Sequence, residues 1–130
     1  MRIFILEDDL NRIKWMKLHF DSRIDLDITD DVDVAMKYLK EEEYDIIFLD
    51  HDLGGRQMVS SSERDTGYTI AKMIHTTKNR GLTVIVHSWN PEGARNMMEA
   101  MQENDINCVY SYFSGPEFIK IVKQVNEQVS

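Results

Sequence analysis

Two short segments of the chain combine histidine with carboxylate or hydroxyl side chains: LDHDLGG over residues 49–55 and VIVHSWN over residues 84–90. Each begins with apolar residues typical of a buried strand and then becomes polar. The polar residues are Asp50, His51 and Asp52 in the first segment and His87 and Ser88 in the second. Imidazole titrates near neutral pH and can act as a general acid or base, and carboxylates bind divalent cations. The two segments therefore predict a functional site if the fold brings them together.

A third polar group follows the first apolar run of the chain. Residues 2–6 (RIFIL) are typical of a strand, and Glu7, Asp8 and Asp9 come directly after them. In open parallel sheets, ligands bind at the carboxyl ends of the strands. We therefore expect this acidic group to share an edge of the sheet with the two histidine segments.

Apolar periodicity predicts five strands that alternate with five helices. The predicted strands are residues 2–6, 24–29, 45–49, 82–86 and 107–112. The helices are expected to begin near Asp9, Asp31, Thr66, Pro91 and Gly115. Their predicted inward faces are Leu10, Ile13, Met16 or Lys17, and Phe20; Val32, Ala35, Met36 and Leu39; Ile70, Ala71 and Ile74, with Met73 as a further candidate; Met97, Met98 and Met101; and Phe118, Ile119, Val122 and Val125.

This alternation predicts a single three-layer α/β domain over residues 1–130, with a five-stranded parallel sheet and about five helices. Right-handed crossovers bring the carboxyl ends of all strands to one edge of such a sheet. The acidic group and both histidine segments are predicted to lie on that edge.

Composition limits the partners and the location that we expect. The chain has a formal net charge of −8, spread along its length, so we expect no binding to duplex DNA or to a membrane surface, since either needs a basic face. Cys108 is the only cysteine, which excludes an internal disulfide framework and favours a reducing compartment. With no leader pattern and no apolar stretch near the roughly 20 residues of a membrane span, a cytoplasmic location is expected.

The order of these elements resembles the receiver domain of two-component response regulators, which has a flavodoxin-like fold. That resemblance implies that Asp50 is the phosphoacceptor, that Asp8 and Asp9 hold Mg²⁺, and that Ser88 is the switch hydroxyl. The chain departs from the pattern at two points. The receiver lysine after the fifth strand is missing from residues 110–116, and Leu53-Gly54 replaces the usual Met-Pro.

Four motifs resemble a narrower group, the cyclic-phosphate-processing receiver family. They are EDDLNR at residues 7–12, LDHDLG at 49–54, TGY at 66–68 and HSWNPEG at 87–93. The resemblance implies a receiver-like fold that acts on cyclic phosphates of nucleotides or RNA ends. A small phosphorylated nucleotide or an RNA end is then the expected partner.

Opening a cyclic phosphate needs an activated water, a proton acceptor and a proton donor. His51 and His87 are predicted to form this acid–base pair, a few ångströms apart across the phosphate. A divalent cation held by Asp8, Asp9 and Asp50, Mg²⁺ or Mn²⁺, would neutralise the developing charge. The predicted substrate-binding residues are Ser88, Asn90, Asp52 and Arg56. In an alternative arrangement, His51, His87 and Asp52 ligate Zn²⁺ or Mn²⁺.

Several of these residues also have structural interpretations, which the sequence leaves open. Asp9 and Asn90 could cap the helices that follow them, and Glu7 favours a structural role. His51 could be a buried histidine bonded to Asp8 or Asp52, and His87 could be structural as well. Trp89 could stack on a nucleobase or cover the sheet edge.

Residues 54–65 form a polar, serine-rich segment longer than the usual strand-to-helix connection. We predict either a mobile lid in which Arg56 or Arg64 approaches phosphate, or a disordered insertion. Arg12 is expected to pair with an acidic neighbour rather than with phosphate.

A signalling function is the alternative to catalysis. The chain would then be a receiver module that is phosphorylated on Asp50, or a degenerate one that acts by binding a protein partner. The missing lysine argues against ordinary phosphorylation switching, and the two histidines argue against an inert scaffold.

Overall fold

The computed structural model describes residues 1–129. Five strands and five helices alternate along the chain, as predicted from apolar periodicity. The elements are β1 (Arg2–Leu6), α1 (Leu10–His19), β2 (Asp25–Thr29), α2 (Val32–Glu41), β3 (Ile46–Leu49), α3 (Gly67–Met73), β4 (Thr83–Val86), α4 (Pro91–Glu103), β5 (Asn107–Tyr110) and α5 (Pro116–Gln128). A short 3₁₀ turn at Ile74–Thr76 extends α3.

All strand pairs are parallel, and the spatial order is β2-β1-β3-β4-β5. Apart from Arg2 and Thr83 at their first positions, β1, β3 and β4 consist of apolar residues on both faces, which is typical of strands covered by helices on two sides. Every strand is followed by a helix, so the carboxyl ends of the strands lie along one edge of the sheet. The predicted five-stranded parallel sheet is confirmed.

Two apolar cores lie on the two faces of the sheet. One core joins β-strand residues such as Leu49 and Val86 to α2, α3 and α4. The other joins Phe48 and Ile85 to α1 and α5. Adjacent residues of one strand thus belong to different cores because side chains alternate across a sheet. The same alternation sets the face of the sheet on which each histidine after β3 and β4 lies.

Two residues predicted to face inward are exposed. Leu10 is 80% exposed because it is the first residue of α1, beyond the ends of the strands. Ile119 is 43% exposed because Phe118, Val122 and Val125 already form the inward stripe of α5. No helix among residues 1–129 is long and apolar enough to cross a membrane.

Candidate functional site

A cavity of about 270 Å³ opens at the carboxyl edge of the sheet, where β1, β3 and β4 end. It brings together six of the residues predicted from sequence. They are Asp8, Asp9, Asp50, Asp52, Arg56 and Ser88. Arg12, from the first turn of α1, also lines the cavity. The three polar segments of the sequence therefore do meet at one edge.

Asp50 is the most buried carboxylate of the cavity, with 4% of its surface exposed. Its Oδ1 atom accepts a hydrogen bond from the backbone N–H of His51 at 2.8 Å. Its Oδ2 atom lies 3.6 Å from Nη1 of Arg12. Burial, reinforced by the negative charge of Glu7, raises the pKa of Asp50 to about 7. A carboxylate in this environment favours a neighbouring cation.

Glu7 is fully buried behind Asp50, and its importance was not predicted from sequence. Its Oε1 atom accepts a hydrogen bond from Nε2 of His87 at 2.9 Å, and its Oε2 atom accepts from the backbone N–H groups of Asp8 and Asp9. Burial alone would raise the pKa of Glu7, but the hydrogen bond and charge of His87 outweigh it and hold the pKa below its ordinary value.

Glu7, Asp50 and His87 form a compact group of three buried side chains. One potential metal-binding atom of each lies within 4.8 Å of the other two. The alternative metal site predicted from sequence consisted of His51, His87 and Asp52. Among the described residues, His87 is instead grouped with Glu7 and Asp50. The strand-ending position of Glu7, directly after a buried run, was the sequence signal for it.

Asp8 and Asp9 lie on the cavity at the start of α1. Asp8 accepts a hydrogen bond from the backbone N–H of Gly55, and burial raises the pKa of Asp8. Asp9 is exposed, and its Oδ1 atom caps α1 by accepting from the N–H groups of Asn11 and Arg12. These hydrogen bonds use one oxygen of each carboxylate. Carboxylate oxygens are hard ligands, and they fit a divalent cation such as Mg²⁺ or Mn²⁺.

The capping and metal-binding roles of Asp9 can be separated by two substitutions. Asp9→Ala is expected to lower the free energy of unfolding by about 1 kcal/mol, whereas Asp9→Asn keeps the cap and most of the stability. Urea unfolding measures both. If Asp9 also holds a cation, Asp9→Asn will weaken Mg²⁺ binding in calorimetric titration. An Asp9→Ala protein as stable as the wild type would contradict the cap.

His51 is fully buried and does not line the cavity. Its Nδ1 atom lies 2.8 Å from Oδ1 of Asp52, and its Nε2 atom lies 2.9 Å from Oγ of Ser61. An ionised Asp52 only accepts, so the consistent tautomer carries its hydrogen on Nδ1 and accepts the Ser61 hydroxyl at Nε2. The ring packs on Gly93, where an added Cβ would lie 2.4 Å from it.

His87 lies on the opposite face of the sheet. Its ring packs among aromatic side chains, 6.2 Å from the Phe48 centroid and 6.1 Å from the Phe118 centroid. The expectation that His51 and His87 face each other across a phosphate is therefore wrong. His51 follows Leu49 by two residues and His87 follows Ile85 by two, and these strand residues belong to the two different cores.

Ser88 and Asn90 differ in how open they are to a ligand. Ser88 lines the cavity, and its hydroxyl accepts a hydrogen bond from the backbone N–H of Asn90. Asn90 is buried, and its Oδ1 atom caps α4 by accepting from the N–H of Gly93. Its Nδ2 atom donates to Oδ1 of Asp52 and to the carbonyl of Val59. Asn90 thus orients Asp52 and the following loop.

The loop of residues 54–65 is bonded to the edge of the sheet. Asp8 accepts from Gly55, and Asp52 accepts from the backbone N–H groups of Met58 and Val59. Arg56 lines the cavity, whereas Arg64 forms ion pairs with Asp33 and Asp65 on the side facing α2. Of the two loop arginines, Arg56 therefore lies beside the cavity and Arg64 does not.

Arg12 supplies positive charge beside the buried carboxylates. Its Nη1 atom lies 3.6 Å from both Oε1 of Glu7 and Oδ2 of Asp50. Its guanidinium group lies 4.4 Å from the ring centroid of Trp89. The predicted acidic pairing of Arg12 is found, and the residue also forms part of the cavity wall. Its position in the first turn of α1 was the signal for this second property.

Solved structures that resemble this fold include receiver domains and response regulators. The receiver domain of Francisella response regulator 1452 gives a TM-score of 0.65 at 18% identity, covering 99% of this chain and 98% of that one. The receiver domain of the sensor histidine kinase PA1611 from Pseudomonas aeruginosa PAO1, which has a magnesium ion coordinated in its active site cleft, gives 0.68 at 19% identity over 97% of each chain. The Thermotoga maritima response regulator DrrB gives 0.64 at 20%, covering 99% of this chain and 54% of that one.

The fold is therefore that of a receiver domain. Residues 3–103 match the cyclic-phosphate processing receiver domain family, and the protein belongs to that family. The family and fold predicted from sequence are both confirmed. No curated protein matches the chain.

Proposed function

We propose that the protein hydrolyses a cyclic phosphate of a nucleotide or RNA end in the cavity beside Asp50, with the help of a divalent cation. One observation supports this more than any other. The carboxylates of Asp8, Asp9 and Asp50 converge on a cavity that also contains the guanidinium group of Arg12. A phosphodiester anion needs positive charge next to it, and both a bound cation and Arg12 would supply it.

Asp8, Asp9 and Asp50 would hold Mg²⁺ or Mn²⁺, with Glu7 behind them. Such an ion polarises a phosphoryl oxygen and stabilises the charge of the transition state. Ser88, Arg12 and Arg56 would bind the phosphate oxygens. These assignments retain the predicted metal ligands and add Glu7 and Arg12 to the predicted site.

The two histidines would act through carboxylates instead of contacting the substrate as a pair. His51 holds Asp52, and His87 holds Glu7, each by one hydrogen bond. Hydrogen bonds from His51 and Asn90 outweigh the effect of burial and lower the pKa of Asp52, so this carboxylate stays ionised at neutral pH. Asp52 lines the cavity and would take the proton of the attacking water as the new P–O bond forms. It would then return this proton to the ester oxygen that leaves when the P–O bond of the ring breaks.

The test is a hydrolysis assay with purified protein, Mg²⁺ or Mn²⁺, and a panel of 2′,3′- and 3′,5′-cyclic nucleotides. We expect ring opening of at least one class of compound, and we expect EDTA to abolish it. His51→Ala and His87→Ala should both reduce the rate, since each frees a carboxylate of the site. Full activity in both variants would exclude the proposed role of the histidines. No hydrolysis of any compound would exclude the function.

Phosphorylation of Asp50 is the second candidate function. The receiver fold and the position of Asp50 at the end of β3 favour it, and Arg12 could supply the cation that the missing lysine does not. A parallel sample with acetyl phosphate and Mg²⁺ tests this by intact-mass spectrometry. Addition of one phosphoryl group, lost in Asp50→Asn, would support signalling.

A further inference from the structure

An aromatic surface adjoins the candidate site. It consists of Trp89, Tyr110 and Tyr112, which we call the aromatic platform. These side chains are 54%, 40% and 50% exposed, respectively. Together with Met58 they line a shallow cavity of about 420 Å³. Exposed aromatic rings that cluster in this way commonly mark a binding surface.

The three rings are fixed in position although they are exposed. Nε1 of Trp89 donates to the carbonyl of Phe113 at 2.9 Å, and the Tyr110 hydroxyl donates to the carbonyl of Ser88 at 2.9 Å. Tyr112 packs on Gly115, where an added Cβ would lie 2.7 Å from the ring. The platform therefore offers apolar ring surface that is already ordered, which lowers the entropy cost of binding.

The platform is continuous with the carboxylate cavity. Trp89 and Met58 line both cavities. Arg12 connects them as well, since its guanidinium group contacts the Trp89 ring and lies beside Asp50. A ligand with its phosphate near Arg12 would therefore have its remaining part next to the aromatic rings.

We propose that the platform stacks the base of a nucleoside cyclic phosphate whose phosphate occupies the cavity beside Asp50. This inference rests on the proposed function. Stacking suits any base because every base has a π face. The Trp89 N–H and the Tyr110 hydroxyl are already engaged by carbonyls, so the platform selects for the presence of a base more than for its identity.

The first experiment compares adenosine 2′,3′-cyclic phosphate with glycerol 1,2-cyclic phosphate, which has the same ring and no base. We expect a KM about 10-fold lower for the nucleoside compound in the wild type. Tyr112→Ala removes a platform residue that does not line the cavity beside Asp50, and it should abolish this preference. Leu18→Ala removes an exposed apolar side chain of α1 that lines neither cavity, and should retain the preference. Equal KM values in the wild type would overturn the proposal.

A trinucleotide that ends in adenosine 2′,3′-cyclic phosphate distinguishes the two sources of the base. A KM equal to that of the free nucleotide indicates a free nucleotide as the ligand, which the net charge of −8 favours. A lower KM indicates an RNA end. Both outcomes keep the stacking proposal if Tyr112→Ala raises KM, and both overturn it if this variant has no effect.

The second experiment detects base binding without catalysis. The chain has two tryptophans, so Trp15→Phe leaves Trp89 as the only one. Titration with adenosine 2′-monophosphate should quench its fluorescence to saturation, and Tyr112→Ala should weaken that binding about 10-fold. Quenching without any hydrolysis of cyclic phosphates would disprove the proposed chemistry and keep the binding site. Hydrolysis without quenching would disprove the platform alone.

Sedimentation velocity tests the competing occupant, a second copy of the chain. A monomer at all concentrations supports the nucleoside site. A dimer that Tyr112→Ala dissociates, and that adenosine 2′-monophosphate does not, would show that the platform is an interface between copies and would overturn the proposal.

Discussion

Asp50→Asn is expected to lower kcat for cyclic-phosphate hydrolysis by at least about 100-fold. The substitution keeps the size of the side chain but removes the charge at the most buried carboxylate of the cavity. Without that charge, a divalent cation loses a ligand and Arg12 loses one of its two acidic neighbours. Steady-state kinetics across a range of Mg²⁺ concentrations measures the loss, which excess Mg²⁺ should not restore.

The same substitution is expected to stabilise the fold. The pKa of Asp50 is raised to about 7 in the folded state, above the ordinary value of 3.8. The folded protein therefore binds this proton more tightly, and its free energy of unfolding falls as the pH rises from about 4 to about 7. Above pH 7 the wild-type protein carries the buried negative charge of Asp50, and the Asp50→Asn variant does not. In EDTA at pH 8, Asp50→Asn should be more stable by about 2 to 4 kcal/mol.

Asp25→Asn is the matched control, because Asp25 is exposed at the amino end of β2, opposite the carboxyl edge of the sheet where the cavity lies. It should change neither kcat nor stability appreciably. Asp50→Asn that hydrolyses substrate at the wild-type rate would place the reaction outside this cavity. A wild-type protein that is as stable at pH 8 as the variant would contradict the raised pKa.

Gly67→Ala is expected to lower the free energy of unfolding by about 3 kcal/mol or more. A Cβ at Gly67 would lie 1.8 Å from the backbone carbonyl oxygen of Asp50 and 3.0 Å from the side chain of Met97. The N–H of Gly67 also donates to the carbonyl of His51 at 2.9 Å, which holds the start of α3 against this backbone. The collision cannot be relieved by a rotamer change, because the nearest atom belongs to the main chain.

Gly81→Ala provides the comparison. A Cβ at Gly81 meets no atom within 4 Å, so its effect should stay within about 0.5 kcal/mol. Urea unfolding of the two variants at the same pH gives the difference. Similar stabilities for both would show that α3 does not press on the Asp50 backbone. Gly67→Ala should also impair hydrolysis, since the strain falls on the backbone of the site.

The elements could be predicted from sequence because apolar periodicity reports which residues are buried. The sheet edge that carries the site followed from the alternation of strands and helices. Whether His51 and His87 lie together could not be predicted from sequence, since it depends on the face of the sheet that each residue takes after its strand ends. Both histidines are buried, yet each supports a different carboxylate.

The full roles of Glu7 and Arg12 could not be predicted for a different reason. A carboxylate after a strand is ordinarily solvated, and nothing in the sequence indicates that three backbone and side-chain donors surround Glu7. Arg12 was expected to form a local ion pair. Its contact with Trp89 joins residues 77 positions apart, and such contacts become visible only once the fold is known.

The hydrogen bond from Gly55 to Asp8 has a thermodynamic consequence. It joins the loop of residues 54–65 to a carboxylate that we propose as a metal ligand. Two partners that share one carboxylate cannot bind independently of each other, and linkage makes their influence equal in both directions. If the bound cation changes the equilibrium constant between the bonded and the released loop by some factor, then bonding of the loop changes the affinity for the cation by the same factor. Variation within residues 54–65 can therefore adjust the metal requirement of the protein while every ligand stays the same.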